Sequence, residues 1–151
     1  MVEFSKVMSQ IHGALQVLRD RGYRVTEPRK QVLKVLAEAK KPVSPYDIQK
    51  ILERNGEYLN HVTIYRILDL LCLLNLAHRV SSLGGFVRCT LGEGVGCHRF
   101  VICRQCGVFH EFADKSLCDE ESEIAKELGF RTEQHLAESV GLCSNCKEDK
   151  S

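Results

Sequence analysis

Tryptophan is absent from the 151 residues, only 3 prolines occur, and aromatic residues make up 7%. So little proline excludes a proline-rich linker or recognition segment. Long apolar runs are missing as well. The longest, Leu70 to Leu74, is far short of the ~20 residues a membrane helix needs, so no membrane partner is expected. The N-terminal MVEFSKVMSQIH has no basic stretch followed by an apolar one, so no secretory signal is expected and the cytoplasm is the expected location. What remains is 44% hydrophobic and 27% charged, enough for one ordinary domain or two small ones.

The net charge of +1 conceals an asymmetry. Residues 1–83 carry 13 Lys/Arg against 8 Asp/Glu, whereas residues 84–151 carry 8 against 12. Seven of the 8 cysteines fall from Cys89 onward. A basic, nearly cysteine-free half can approach a polyanion, and an acidic, cysteine-rich half suits a metal. Without a secretion signal, these cysteines are expected to be metal ligands rather than disulfides, because the cytosol keeps thiols reduced.

Helical periodicity predicts helices over 5–21, from about 27 to 39 with Thr26 as N-cap, over 45–55 with Ser44 as N-cap, and over about 60–75. After Asn75 the period shortens, and 77–81 and 86–91 read as two strands around Leu83-Gly84-Gly85. Helices followed by a hairpin describe a winged helix-turn-helix over 1–91. The glycine-rich stretch 92–96 is the expected hinge. Residues 97–151 then give strands at about 98–103 and 108–113, a helix at 115–128 and a strand at 130–140. The fold class is therefore α+β, with a C-terminal domain small enough to need a staple such as structural zinc.

Cys103-Arg-Gln-Cys106 and Cys143-Ser-Asn-Cys146 are two C-x-x-C pairs separated by a strand–helix–strand unit. Together they can supply four thiolates to one tetrahedral ion, with zinc the expected occupant. A dithiol redox motif needs only one such pair. His78, Cys89, His98 and Glu111 form a second, mixed donor set. Each also has a plain structural reading: a strand-surface histidine, a small core thiol, a solvated carboxylate. Cys72 lies on the apolar run of the fourth helix and is expected in the core. His12, His61 and His110 have no evident partner.

The order Arg24-Val-Thr-Glu-Pro-Arg29, Pro42-Val-Ser-Pro-Tyr-Asp-Ile48, Val62-Thr-Ile-Tyr-Arg-Ile-Leu-Asp69, Cys103-x-x-Cys-Gly107, His135 and Gly141-Leu-Cys-x-x-Cys146 resembles the ferric uptake regulator family. The resemblance implies a homodimeric winged-helix repressor whose C-terminal domain dimerises and whose metal load sets its affinity for a double-stranded DNA operator. Iron and peroxide sensors of that family use a His ahead of the third helix, where this chain has Pro42, and an acidic residue at the end of the wing, where it has Cys89. Losing oxygen ligands and gaining a thiolate moves preference toward zinc. The chain is most similar to the zinc uptake regulator branch, which implies His78, Cys89, His98 and Glu111 as the regulatory zinc ligands, with Cys97 the alternative to His98. At least two zinc ions per chain follow, one structural and one regulatory. The resemblance also implies a possible third site at Cys97, Cys118 and His135.

For DNA, the fourth helix is the expected recognition element. Thr63 and Arg66 share a face opposite Ile64, Leu68 and Leu71, and Tyr65 is similar to a family tyrosine that meets DNA. Arg19, Arg24 and Arg29 are expected at phosphates or the minor groove. The expected function is zinc-responsive repression of zinc-uptake genes with no small-molecule substrate. A sensor of iron, manganese or peroxide is the same-family alternative. A zinc deaminase would need H-x-E and P-C-x-x-C motifs and an open coordination position, neither of which the spacing offers. A zinc-ribbon adaptor leaves the wing and the basic half unexplained.

Overall fold

The first helix, α1, runs over Val2–Asp20, earlier than its apolar stripe begins, and buries Leu18. Helix α2 (Glu27–Glu38) starts where Thr26 accepts a hydrogen bond from the Arg29 amide, with proline in its first turn. Helix α3 (Pro45–Arg54) opens on a full capping box, Ser44 and Asp47 each satisfying the other's backbone N–H. Those donations from Ser44 hold the Asp47 carboxyl below the usual carboxylate range. Helix α4 (His61–Leu73) is capped by the Asn60 side chain on the Thr63 amide. It ends where Asn75 takes a positive φ of 55° and the Leu76 amide reaches back to the Leu71 carbonyl at 2.8 Å. Asparagine tolerates that left-handed geometry, so the chain leaves α4 already turned into the hairpin.

In this computed structural model, residues 2–92 and 96–147 are described. The chain divides into two units, 1–89 and 90–151. The expected hinge falls largely on 93–95, outside the described residues. In the first unit, α1 to α4 surround Leu18, Val32, Leu36, Ile48, Leu52, Ile64, Leu68 and Leu71, all essentially inaccessible to solvent. The wing is β1 (Ala77–Val80), a single 3-10 turn at Ser81–Leu83 and β2 (Gly85–Arg88), shorter than the sequence suggested. The strands pair antiparallel, with His78 opposite Val87.

The wing is also tied back to the helices. Val43, between α2 and α3, exchanges both backbone hydrogen bonds with Phe86, at 3.0 and 2.7 Å. At this crossing a Cβ on Gly85 would meet Pro42 Cβ at 2.8 Å and two backbone atoms at 2.9 Å. Gly85→Ala is therefore expected to lower stability by about 1–3 kcal/mol through overpacking. Thermal unfolding checks this; an unchanged midpoint would show that β2 is not held against that connection.

The second unit is a three-stranded sheet in the order β4-β3-β5, with β3 (Cys97–Cys103) at its centre. Strand β4 (Phe109–Phe112) pairs antiparallel to it, and helix α5 (Lys115–Glu127) leads to β5 (His135–Gly141), which lies parallel. The last strand begins at His135, not near 130 as expected, because a ladder needs a partner. Strand β3 starts at Cys97, whose register mate is His135. A short helix α6 (Ser144–Lys147) follows, which the sequence pattern did not reveal. Phe100 and Ile102 are the buried centre of this sheet.

Candidate metal centres and nucleic-acid interface

Parallel pairing explains how two distant C-x-x-C pairs meet. Strands β3 and β5 run in register from Cys97↔His135 to Cys103↔Gly141, so both emerge at the same end of the sheet, each followed by one pair. The Gly107 amide donates to the Cys103 carbonyl at 2.9 Å, and Gly107 carries a φ of 77°, which folds the first pair back on itself. In the second pair the Cys146 and Lys147 amides donate to the Cys143 carbonyl at 3.1 and 3.0 Å as α6 begins. The four sulfurs lie within 4.8 Å of one another, and the Cys106 and Cys143 sulfurs are 3.7 Å apart. A tetrahedral site with Zn–S bonds near 2.3 Å has edges of about 3.8 Å, so the donor set fits zinc.

The surroundings act on the first and last thiols in opposite directions. Backbone N–H groups of Cys106, Cys143 and Gln105 point at Cys103 and lower its thiol from 9.0 to about 6. Hydrogen bonding from neighbouring cysteines, together with burial, pushes Cys146 up to about 12. Four thiolates in one pocket repel, and a divalent cation removes the conflict.

The mixed set falls into one pair in each unit. In the first, the Cys89 amide donates to the Leu76 carbonyl at 2.9 Å, extending the wing ladder by one step. His78 and Cys89 therefore share a face of the hairpin, with ligand atoms within 4.8 Å, and His78 is buried. In the second unit, His98 and Glu111 sit diagonally on one face of β3–β4, with His98 Nδ1 3.2 Å from Glu111 Oε1 and both side chains shielded from water. That separation is an ordinary imidazole–carboxylate hydrogen bond, and it is also compatible with the roughly 3.3 Å edge of a tetrahedral N/O zinc site.

The third set is arranged differently from three free donors. The sulfurs of Cys97 and Cys118 are brought together, with their Cα atoms 6.3 Å apart. This pairing differs from the expected set of three separate donors, because α5 lays its first turns against the start of β3, within disulfide reach. His135 is held by α5, with Nδ1 2.9 Å from Glu121 and Nε2 3.2 Å from the Ser122 hydroxyl. Arg99 forms an ion pair with the other Glu121 oxygen at 2.7 Å. These two partners, Arg99 first, hold the Glu121 carboxyl below its usual range. The network was not visible in sequence, since its members are up to 36 positions apart and only the β3–β5 register unites them. Cys72 is half-buried rather than fully enclosed, and burial with nearby Asp69 raises its thiol to about 11.

On α4, Ile64, Ile67, Leu68 and Leu71 face inward while Val62, Tyr65 and Arg66 are exposed and Thr63 is half-exposed. The His61 ring meets Tyr65 edge-on at 5.0 Å and its Nδ1 lies 3.4 Å from Gln49 Oε1 of α3, a contact no sequence pattern signalled. Arg19 and Arg24 are exposed. Arg29 is partly occupied: its guanidinium donates to the Arg24 carbonyl and lies 5.9 Å from the Tyr23 ring.

A helical unit with a wing and an exposed helix face, followed by a small α+β unit that gathers four thiols, defines a winged-helix protein with a candidate four-cysteine metal centre. Residues 20–139 match the Ferric uptake regulator family. The chain belongs to this family. It is 34% identical to the ferric uptake regulation protein of Yersinia pestis over 139 residues, 90% of this chain and 93% of that one. It is 28% identical to the zinc uptake regulation protein of Escherichia coli K12 over 136 residues, 89% of this chain and 80% of that one. The structure of a zinc uptake regulator complexed with zinc and DNA superposes with a TM-score of 0.87 at 26% identity, covering 95% of this chain and 97% of its own. No helix among the described residues is long and apolar enough to cross a membrane.

Proposed function

We propose that this protein is a zinc-responsive, sequence-specific DNA-binding repressor that acts in the cytoplasm as a homodimer and shuts off zinc-uptake genes when zinc is ample. Relatives named for iron and for zinc are both similar to it, so their names do not choose the metal, and the reading rests on the donor set. The observation that carries the reading is the thiolate donor Cys89 beside His78 on the wing, where a borderline ion is favoured over Fe²⁺ or Mn²⁺. Pro42, at the position where iron and peroxide sensors carry a histidine, has no ligand atom to give and instead seats Gly85.

In this reading Cys103, Cys106, Cys143 and Cys146 hold a structural zinc, and four thiolates leave no open position for an enzyme's water. His78 and Cys89 from the first unit, with His98 and Glu111 from the second, hold the regulatory zinc, and residues 92–96 form the hinge. Zinc binds the DNA-competent arrangement more tightly than the open one, which is all the coupling requires.

The test uses DNA selected by the zinc-loaded protein from a random-sequence pool. Retardation of that DNA should rise with buffered free Zn²⁺ well below the level at which Fe²⁺ or Mn²⁺ acts. An equal or stronger response to Fe²⁺ overturns the metal assignment. On the same DNA, Arg66→Ala should weaken binding by about 1–3 kcal/mol while leaving zinc content and dimerisation unchanged. Unchanged affinity for every DNA would remove α4 from the recognition role.

A further inference from the structure

The end of the second unit's sheet opposite the tetrathiolate centre carries chemistry that the sensing scheme does not use. Cys97 opens β3 and Cys118 lies in the second turn of α5, 21 positions later, with their sulfurs brought together and their Cα atoms 6.3 Å apart, inside the span a disulfide tolerates. Cys97 is buried, 8% exposed, while Cys118 is half-exposed. His135, the register partner of Cys97, is turned to Glu121 and Ser122 of α5 and so does not compete for the sulfurs. His98 follows Cys97 directly on the same strand.

We propose that Cys97 and Cys118 form a reversible thiol–disulfide modification site that fixes the start of β3 and, with it, His98. The oxidant class is a low-molecular-weight disulfide. The more accessible thiol, Cys118, loses its proton and attacks one sulfur of that disulfide, forming a mixed disulfide and releasing one small thiolate, which takes up the proton. Cys97, also deprotonated, then attacks the Cys118 sulfur. The Cys97–Cys118 bond forms, the mixed disulfide breaks, and the second small thiolate leaves and is protonated. Two cysteine thiols are oxidised by two electrons, and one small disulfide is reduced to two thiols.

The consequence follows from order. Pinning Cys97 to α5 removes freedom from the strand start that presents His98, so less conformational entropy is lost when a metal binds there. This second part rests on the zinc-sensing reading above; the disulfide itself does not. Oxidised protein should hold its weaker class of zinc roughly fivefold or more tightly than reduced protein, the lower end of ordinary coupling.

The experiment takes full-length, zinc-loaded protein, reduces it with a phosphine, exchanges it into oxidised glutathione without oxygen, and maps the cysteines by peptide mass spectrometry. Zinc is titrated against a chelator in both states. The expected result is a Cys97–Cys118 peptide pair that a phosphine reverses, with the tetrathiolate zinc retained and the weaker zinc class tightened. Cys118→Ser should abolish the tightening yet match reduced wild type in its zinc curve. Failure to form the pair, or a glutathione adduct that persists on Cys118, overturns the site. So does a third zinc in reduced protein that Cys118→Ser removes, since the thiols would then be metal ligands. Equal zinc affinity in both states overturns the link to His98. Absence of any second zinc class refutes the sensing reading itself, while the peptide map still decides whether the disulfide exists.

Discussion

Cys89→Ser should need roughly 5–150 times more zinc than the wild type to bind DNA, the range spanned by allosteric couplings of ~1–3 kcal/mol. The variant should keep its tetrathiolate zinc and remain a dimer. The thiolate separates this donor set from an oxygen-rich one, and serine replaces a soft anion with a neutral hydroxyl of nearly the same size. The Cys89 amide donates to Leu76 through the backbone, so the wing ladder does not depend on the side chain. A loss of folding is therefore not expected, and zinc-dependent DNA binding reads the ligand alone. An unaltered zinc curve would move the regulatory site elsewhere, with Cys97 next to be examined.

Cys103→Ser should act on the fold. The second unit has few fully buried apolar side chains of its own, chiefly Phe100 and Ile102, and α5 has none fully buried. A structural zinc would be the main support of such a unit, since apparent zinc binding energies of about 10–16 kcal/mol in small zinc folds far exceed a small core's contribution. Cys103 is also the thiol that neighbouring N–H groups hold ionised, at about 6, so its loss removes the most readily available thiolate. The variant should lose one tightly held zinc, dissociate to monomer, and give a C-terminal unit cleaved rapidly by protease. A variant that stays folded and dimeric after chelation would show that the four-cysteine centre is not structural.

Much of this molecule was legible from residues alone, and the reasons are local. Capping residues Thr26 and Ser44 mark the starts of α2 and α3 because each satisfies an orphan amide within one turn. Paired C-x-x-C motifs announce a tetrathiolate site because tight spacing and ligand type leave few other uses. What stayed hidden is what the register of β3 against β5 decides. That pairing sets where β5 begins, puts Cys97 level with His135, and assembles Arg99, Glu121, Ser122 and His135 from three elements. Cys118 was visible only through family resemblance, and its partner proved to be a sulfur, because α5 crosses the sheet at disulfide range. The edge contact of His61 on Tyr65 was equally silent, since nothing in a helical repeat says which exposed rings will meet.

Linkage offers the most direct test of zinc control. The zinc affinity of the regulatory class should be measured by chelator competition twice, with the protein free and with it saturated by its selected DNA. If zinc drives DNA binding, DNA must raise zinc affinity by the same factor by which zinc raises DNA affinity, at the same salt and pH. Equal factors, lost together in Cys89→Ser, are the predicted result. A zinc affinity indifferent to DNA, while DNA affinity follows Fe²⁺ instead, would contradict it.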